Sequence, residues 1–195
     1  MSVDLIFALK IFFTAMVLVI VPVYWKHWGP KNFLWFSDVA LFGVTIGLWV
    51  ESPLMISMIA VMVFWAELAW NLDLLMRLIF RINVFSLTGY MFKDDQPLYV
   101  RLLSLFHVPL FGVIIYLLYT WGYSSEAFLY QIPITWLVLI GTYLAKPEEN
   151  INWVYGWGEE PQKKFPPLVY FIGLLLFYPL IIMLSAHYFL LWVFG

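Results

Sequence analysis

Six stretches of roughly 17 residues or more are mostly apolar, long enough for an α-helix to cross a bilayer. They run from Leu5 to Trp25, Phe33 to Val50, Pro53 to Phe80, Leu98 to Trp121, Ala127 to Ala145 and Pro166 to Phe194. No water-soluble fold could bury so much apolar side chain. Only 11% of the 195 residues are charged and 64% are hydrophobic, whereas an ordinary soluble domain has about 25% charged residues. The bilayer must therefore be the solvent for most of the chain. This excludes a soluble enzyme and a disordered protein. A net charge of -2 gives no basic footprint, which excludes a nucleic-acid partner. With no cysteine there is neither a disulfide nor a thiolate site.

The expected fold is all-α, a single domain over residues 1–195 built as a polytopic bundle of six transmembrane helices. The longest polar stretch has about twenty residues, too few for a second domain. The first segment carries Asp4 in place of a basic cluster and has no small-residue cleavage site, so it is expected to remain as a helix. Nine basic residues (Lys26, Lys31, Arg77, Arg81, Lys93, Arg101, Lys146, Lys163 and Lys164) fall in or beside the three alternate loops 1–2, 3–4 and 5–6, and only Lys10 falls elsewhere. By the positive-inside rule those loops face the cytoplasm and both termini face the periplasm. Trp25, Trp28, Trp35, Trp121, Trp153, Trp157 and Trp192 lie near helix ends, as interfacial anchors do.

Ionisable residues inside a span are costly, at about 2.5–3.5 kcal/mol on insertion scales, and mark functional sites. Glu67 lies ten residues before Arg77, about 15 Å from that end, and shares a helix face with Trp70 and Asn71. Asp38 lies seven residues after Lys31, about 10 Å into its span. His107 lies six residues after Arg101, about 9 Å deep, with Ser104 on the same face and Pro109 two residues on. All enter from one membrane side, so Glu67, Asp38, His107 and Asn71 are expected to share a polar pocket in the cytoplasmic half. Asp73 is read as an interfacial ion-pair partner of Arg77. His187 belongs near the outer face, away from that pocket. Pro22, Pro109, Pro133 and Pro179 each remove a backbone donor and kink their helices. In the tract KPEENINWVYGWGEEP, Glu149, Asn150 and Asn152 are read as a loop capping the pocket.

Two carboxylates and an imidazole suit three kinds of chemistry. Asp38, Glu67 and His107 can ligate a divalent metal through O and N donors. They can act as general acid and base, or relay protons. No HExxH, GxSxG or glycine-rich phosphate loop accompanies them. The richness in Trp, Tyr and Phe suits a cavity for a hydrophobic small molecule such as a lipid, quinone or isoprenoid.

The blocks HWGPKNFLWFSD, ESPL, ELAWNLD, TGYMF, LSLFHVPL and PEENINWVYG resemble a family of small bacterial polytopic integral membrane proteins, described only as membrane-associated. The resemblance implies a multi-pass protein of the bacterial inner membrane and brings no activity with it. The PEEN block is similar, over a few residues, to acidic motifs of small membrane-bound isoprenoid cyclases. The leading expectation is an enzyme acting on a lipid-soluble substrate, with Glu67 as acid and base, His107 and Asp38 as its partners or metal ligands, and Asn71 orienting. A proton- or ion-coupled carrier and a structural subunit of a membrane complex are the alternatives.

Overall fold

The computed structural model describes residues 3–146, 148–158 and 160–195. Among them every regular element is helical. Eight α-helices run in order: α1 (Val3–Trp28), α2 (Phe36–Val50), α3 (Pro53–Phe80), α4 (Leu98–Leu103), α5 (His107–Trp121), α6 (Ala127–Ala145), α7 (Pro167–Phe177) and α8 (Leu184–Phe194). A short 3₁₀ turn joins α4 to α5, and a π-helical turn, Tyr178–Met183, joins α7 to α8. Both pairs therefore act as single long rods. Five rods are long and apolar enough to cross a membrane: Asp4–Trp28, Pro53–Phe80, Leu98–Trp121, Ala127–Ala145 and Pro167–Phe194. Their outer faces are studded with exposed Leu, Ile, Phe and Trp, a surface that only lipid can cover. These rods have the length and apolar make-up of a multi-pass membrane protein.

The sixth apolar stretch is the exception. The helix over Phe36–Val50 has 15 residues and rises about 22 Å, short of a 30 Å hydrocarbon core. Pro30 starts a 3₁₀ turn over Pro30–Leu34, and Trp35 leaves helical geometry before α2 begins. Asp38 thus sits in the first turn of α2. Counting depth from Lys31 along an unbroken helix overstated how far it lies inside a span.

The prolines explain the irregular turns. Pro179 cannot donate to the carbonyl of Leu175, and the Trp136 indole takes that oxygen at 2.8 Å. The helix widens into its π turn at that place. Pro109 likewise lacks the donor for Leu105, within the 3₁₀ turn Ser104–Phe106 that hands the chain to His107.

Helix α3 is the axis of the bundle and packs against α2, α5, α6 and α8. The ESP turn brings α2 back onto α3. Glu51 takes a left-handed conformation (φ 51), Ser52 caps α3 by accepting from Met55 N at 3.2 Å, and Pro53 opens the helix. Small residues then let the two helices close up. A β-carbon at Gly43 would overlap the Ile59 side chain, and one at Gly47 would meet Ile56 Cδ1 at 2.8 Å. Gly43→Leu is expected to destabilise by ~1–3 kcal/mol through overpacking, and Gly43→Ala by less, because the tip of Ile59 can turn away. Detergent melts of the two variants check the order. Equal melting of Gly43→Leu and wild type would refute the close-packing argument.

The turn Glu51–Ser52 and the α5–α6 turn meet at one end, where Ser57 Oγ accepts from Ser124 N at 3.0 Å. Lys10 pairs with Glu51, and Tyr123 N donates to Phe194 O at 3.0 Å. Both terminal helices therefore finish at this end. The opposite end carries the 3₁₀ turn, the segment 81–97 and the tract 146–166, and with them the nine basic residues.

Candidate functional site

Glu67 lies at the middle of α3 and is 2% exposed. Opposite it, the first residue of α5 turns inward. His107 Nδ1 lies 2.9 Å from one Glu67 carboxylate oxygen and 3.1 Å from the other. When the carboxylate accepts this bond, Nδ1 carries the hydrogen. Among the described residues no group hydrogen-bonds Nε2, whose lone pair is left available. The imidazole is clamped between two aromatic planes. Trp70 stacks on it at 4.2 Å and 15°, and Phe106 at 4.3 Å and 22°. One carboxylate therefore fixes the ring's tautomer, while two rings fix its plane.

Asn71 belongs to the same place but does different work from the orienting role expected of it. Its Nδ2 donates to the backbone carbonyls of Glu67 (2.8 Å) and His107 (3.4 Å). It ties the main chains of α3 and α5 together beneath the pair and does not hold either side chain.

Asp38 is 3% exposed. Asn32 Nδ2 donates to one of its oxygens at 3.4 Å, and the other, Oδ1, has no partner. It lies within electrostatic range of Glu67, Tyr24 and Tyr90. Glu67 and His107 are thus in contact, and Asp38 lies within electrostatic range of Glu67 without touching the pair. They do not form a metal centre. Among the described residues no group of three His, Asp or Glu side chains is disposed to hold an ion. The single Nδ1 lies within reach of both Glu67 oxygens, while Asp38 takes Asn32 as its hydrogen-bond partner.

Four further residues complete the cluster, and the sequence pattern did not single them out as site residues. The Tyr24 hydroxyl of α1 and Ser104 Oγ are 3.1 Å apart. Tyr90, from the 3₁₀ turn Gly89–Phe92, packs against the cluster of Trp70, Leu74 and Met91. Burial pushes the Tyr90 phenol up to about 12, so it stays a neutral hydroxyl at physiological pH. Tyr178, in the π turn, donates to Met62 O at 3.0 Å and also lies within range of Glu67. The Tyr24–Ser104 and Tyr178–Met62 contacts join residues 80 and 116 positions apart, which no local spacing can reveal.

Asp73 corrects an expectation. It does not pair with Arg77. Fully buried, it accepts from Val84 N (3.1 Å), Phe85 N (2.8 Å), Thr88 N (2.9 Å) and Thr88 Oγ1 (2.7 Å). One carboxylate thereby folds the segment after α3 back onto the helix and sets the turn that presents Tyr90.

The tract after α6 is organised by its asparagines. Asn150 Nδ2 donates to Gly156 O and Gly158 O, and its Oδ1 accepts from Tyr155 N. Asn152 clamps the tract to α2, accepting from Phe36 N at 3.0 Å and donating to Leu34 O at 2.7 Å. Glu149 is exposed. The expected cap therefore exists as a latch on the start of α2, and its asparagines serve the backbone. Asn152→Ala is expected to cost ~1–2 kcal/mol, the scale of a lost helix cap, with added strain because Asn152 has φ 50. Asn152→Gly relieves the strain but loses both bonds, so it should melt between wild type and Asn152→Ala. An unchanged melt in both would show that the latch carries no stability.

His187 bonds the Tyr123 hydroxyl at 2.8 Å at the terminal end, away from the cluster, as expected. A hollow of about 280 Å³ is an apolar groove between α1 and α5 lined by residues such as Leu9, Phe13, Pro109 and Tyr116. It lies on the face of α5 turned away from His107. The aromatic cavity expected around the acids is instead filled by Trp70, Phe106 and Tyr90 packing onto the pair.

No family model, curated protein or solved structure matches the chain.

Proposed function

We propose that the protein is a membrane-embedded enzyme that acts on a lipid-soluble substrate, with Glu67 and His107 as its acid–base pair. One observation carries the reading. Glu67 binds the Nδ1 side of His107 with both oxygens in reach, and Nε2 has no partner among the described residues. A carboxylate that fixes one imidazole nitrogen makes the other a defined base and stabilises the imidazolium formed when it takes a proton. Asp38 Oδ1 and the Tyr90 hydroxyl stand by as a second acceptor and a neutral donor. The substrate class follows from location, since a site among the helices of a membrane bundle is reached through lipid. A hydrophobic small molecule of lipid, quinone or isoprenoid type is the substrate class proposed. The end bearing the nine basic residues is assigned to the cytoplasmic side of a bacterial inner membrane, with both termini periplasmic.

Tight aromatic packing around the pair favours a second reading, a structural subunit in which the two groups satisfy each other. Lipid extracts separate the two. Membranes containing the wild-type chain or Glu67→Gln at equal folded levels are compared by mass spectrometry. The enzyme reading expects a lipid-soluble species formed or consumed only with wild type. Identical extracts would refute it in favour of the structural reading.

A further inference from the structure

We propose that the guanidinium of Arg77, with Arg101 beside it, binds the phosphate of an anionic membrane lipid. Arg77 lies in the last turn of α3 and makes no ion pair among the described residues. Its Nε and Nη2 have no hydrogen-bond partner. Those two atoms form the side-on edge of the guanidinium fork, the edge that takes two oxygens of a phosphate at once. Leaving such donors unpaired in a protein interior is costly, so an acceptor outside the chain is called for. Arg101 flanks the same turn. Its Nη1 donates to Met91 O at 3.1 Å and its Nη2 pairs with Asp94 at 3.0 Å, while Nε is unpartnered.

Between the two arginines lies the 3₁₀ turn Gly89–Phe92. Phe92 covers the Arg77 face, 5.1 Å from Cζ, and is itself half exposed. Gly89 lies against the same edge, since a β-carbon there would stand 3.9 Å from Arg77 Nη2. The acids nearby do not compete. Asp73 is saturated by the segment it anchors, and Asp94 is held by Arg101.

The lipid source is argued from the surface around the arginines. Ile82, Val84, Phe85, Phe92 and Leu98 are all exposed on this segment, alongside Arg81 and Lys93. Apolar side chains interleaved with basic ones at the end of a membrane helix lie at headgroup depth, where the acyl boundary meets the phosphates. A soluble anion would not need that apolar rim. A small shift of the turn carrying Phe92 admits the headgroup to the Nε–Nη2 edge.

The test is native mass spectrometry of the full chain in detergent with phosphatidylglycerol or phosphatidylcholine of equal acyl composition. Wild type should retain phosphatidylglycerol in preference, and Arg77→Gln should lose about five-fold in retention, the scale of one basic residue at an anionic surface. Arg77→Lys keeps the charge without the fork and should also lose preference; it decides the matter if Arg77→Gln melts abnormally. Equal retention of the two lipids, or unchanged preference in Arg77→Lys, overturns the site. Displacement of the lipid by millimolar inorganic phosphate would overturn the lipid assignment in favour of a soluble anion.

Discussion

Glu67→Gln should keep the fold and lower turnover of the lipid-soluble substrate by about 10²–10⁴-fold, the usual contribution of a positioned acid or base. The amide has the shape of the carboxylate and can still accept from His107 Nδ1, now 2.9 Å away. It cannot stabilise an imidazolium, so Nε2 loses its strength as a base. The stacking of Trp70 and Phe106 holds the ring in place with either side chain. Glu67→Leu is a different experiment. It leaves the buried Nδ1–H without an acceptor, at a cost of ~1–3 kcal/mol. Replacing both partners by apolar side chains of similar volume should recover most of that loss. Turnover and melting temperature measured on the three variants give the answer. Full turnover in Glu67→Gln, together with a higher melting temperature in Glu67→Leu, would sink the catalytic assignment and leave a packing role.

Asp73→Ala should be the most destabilising single change in the chain. It deprives three backbone N–H groups and one hydroxyl of their acceptor, all at a fully buried position. Hydrogen bonds to a charged group contribute about 1.5–3 kcal/mol each, and the orphaned donors add a desolvation cost. A total of at least ~4 kcal/mol lowers the melting temperature of a domain this size by roughly 10 °C. The loss is local in origin. The segment 81–97 should come away from α3 and expose Arg81 and Lys93 to trypsin, while the helical signal stays near wild type. Tyr90 leaves the cluster of Trp70, Leu74 and Met91 with it, so turnover should fall too, although Asp73 touches no part of the Glu67–His107 pair. Asp73→Asn keeps one acceptor oxygen and should fall between. A melt within about 2 °C of wild type, with no new cleavage at Arg81, would show that the segment folds without its anchor.

Both changes act at positions whose importance was unequally legible. Glu67 and His107 stand out because a charged or imidazole side chain is conspicuous in an apolar run. Their entry from the same side followed from counting helices, and so did their meeting. Asp73 is equally conspicuous but was misassigned. Its neighbour at i+4 is Arg77, and on an isolated helix that spacing makes an ion pair. In the folded chain the irregular segment that follows offers four donors, and a carboxylate surrounded by N–H groups has no need of the arginine. Tyr24 and Tyr90 were illegible for another reason. A tyrosine in a membrane protein reads as an interfacial anchor until the partner of its hydroxyl is known.

By itself, the sequence determined the bilayer as solvent, the helices as the only backbone that satisfies itself there, and five of the six apolar rods. These depend on composition and on runs of neighbouring residues, which sequence contains in full. The tertiary structure decided that the rod after Trp35 is too short to match the others, because Pro30 and the 3₁₀ turn consume its first residues. It also decided that Asp38 stands beside the pair without joining a metal centre, that Asn71 and Asn152 hold backbone, and that aromatic rings fill the space a ligand was expected to occupy. Those outcomes turn on which way a side chain points and on which distant groups reach it first. Hydrogen bonds and ring stacking act over a few ångströms, and only the packed bundle brings residues sixty or eighty positions apart to within that range.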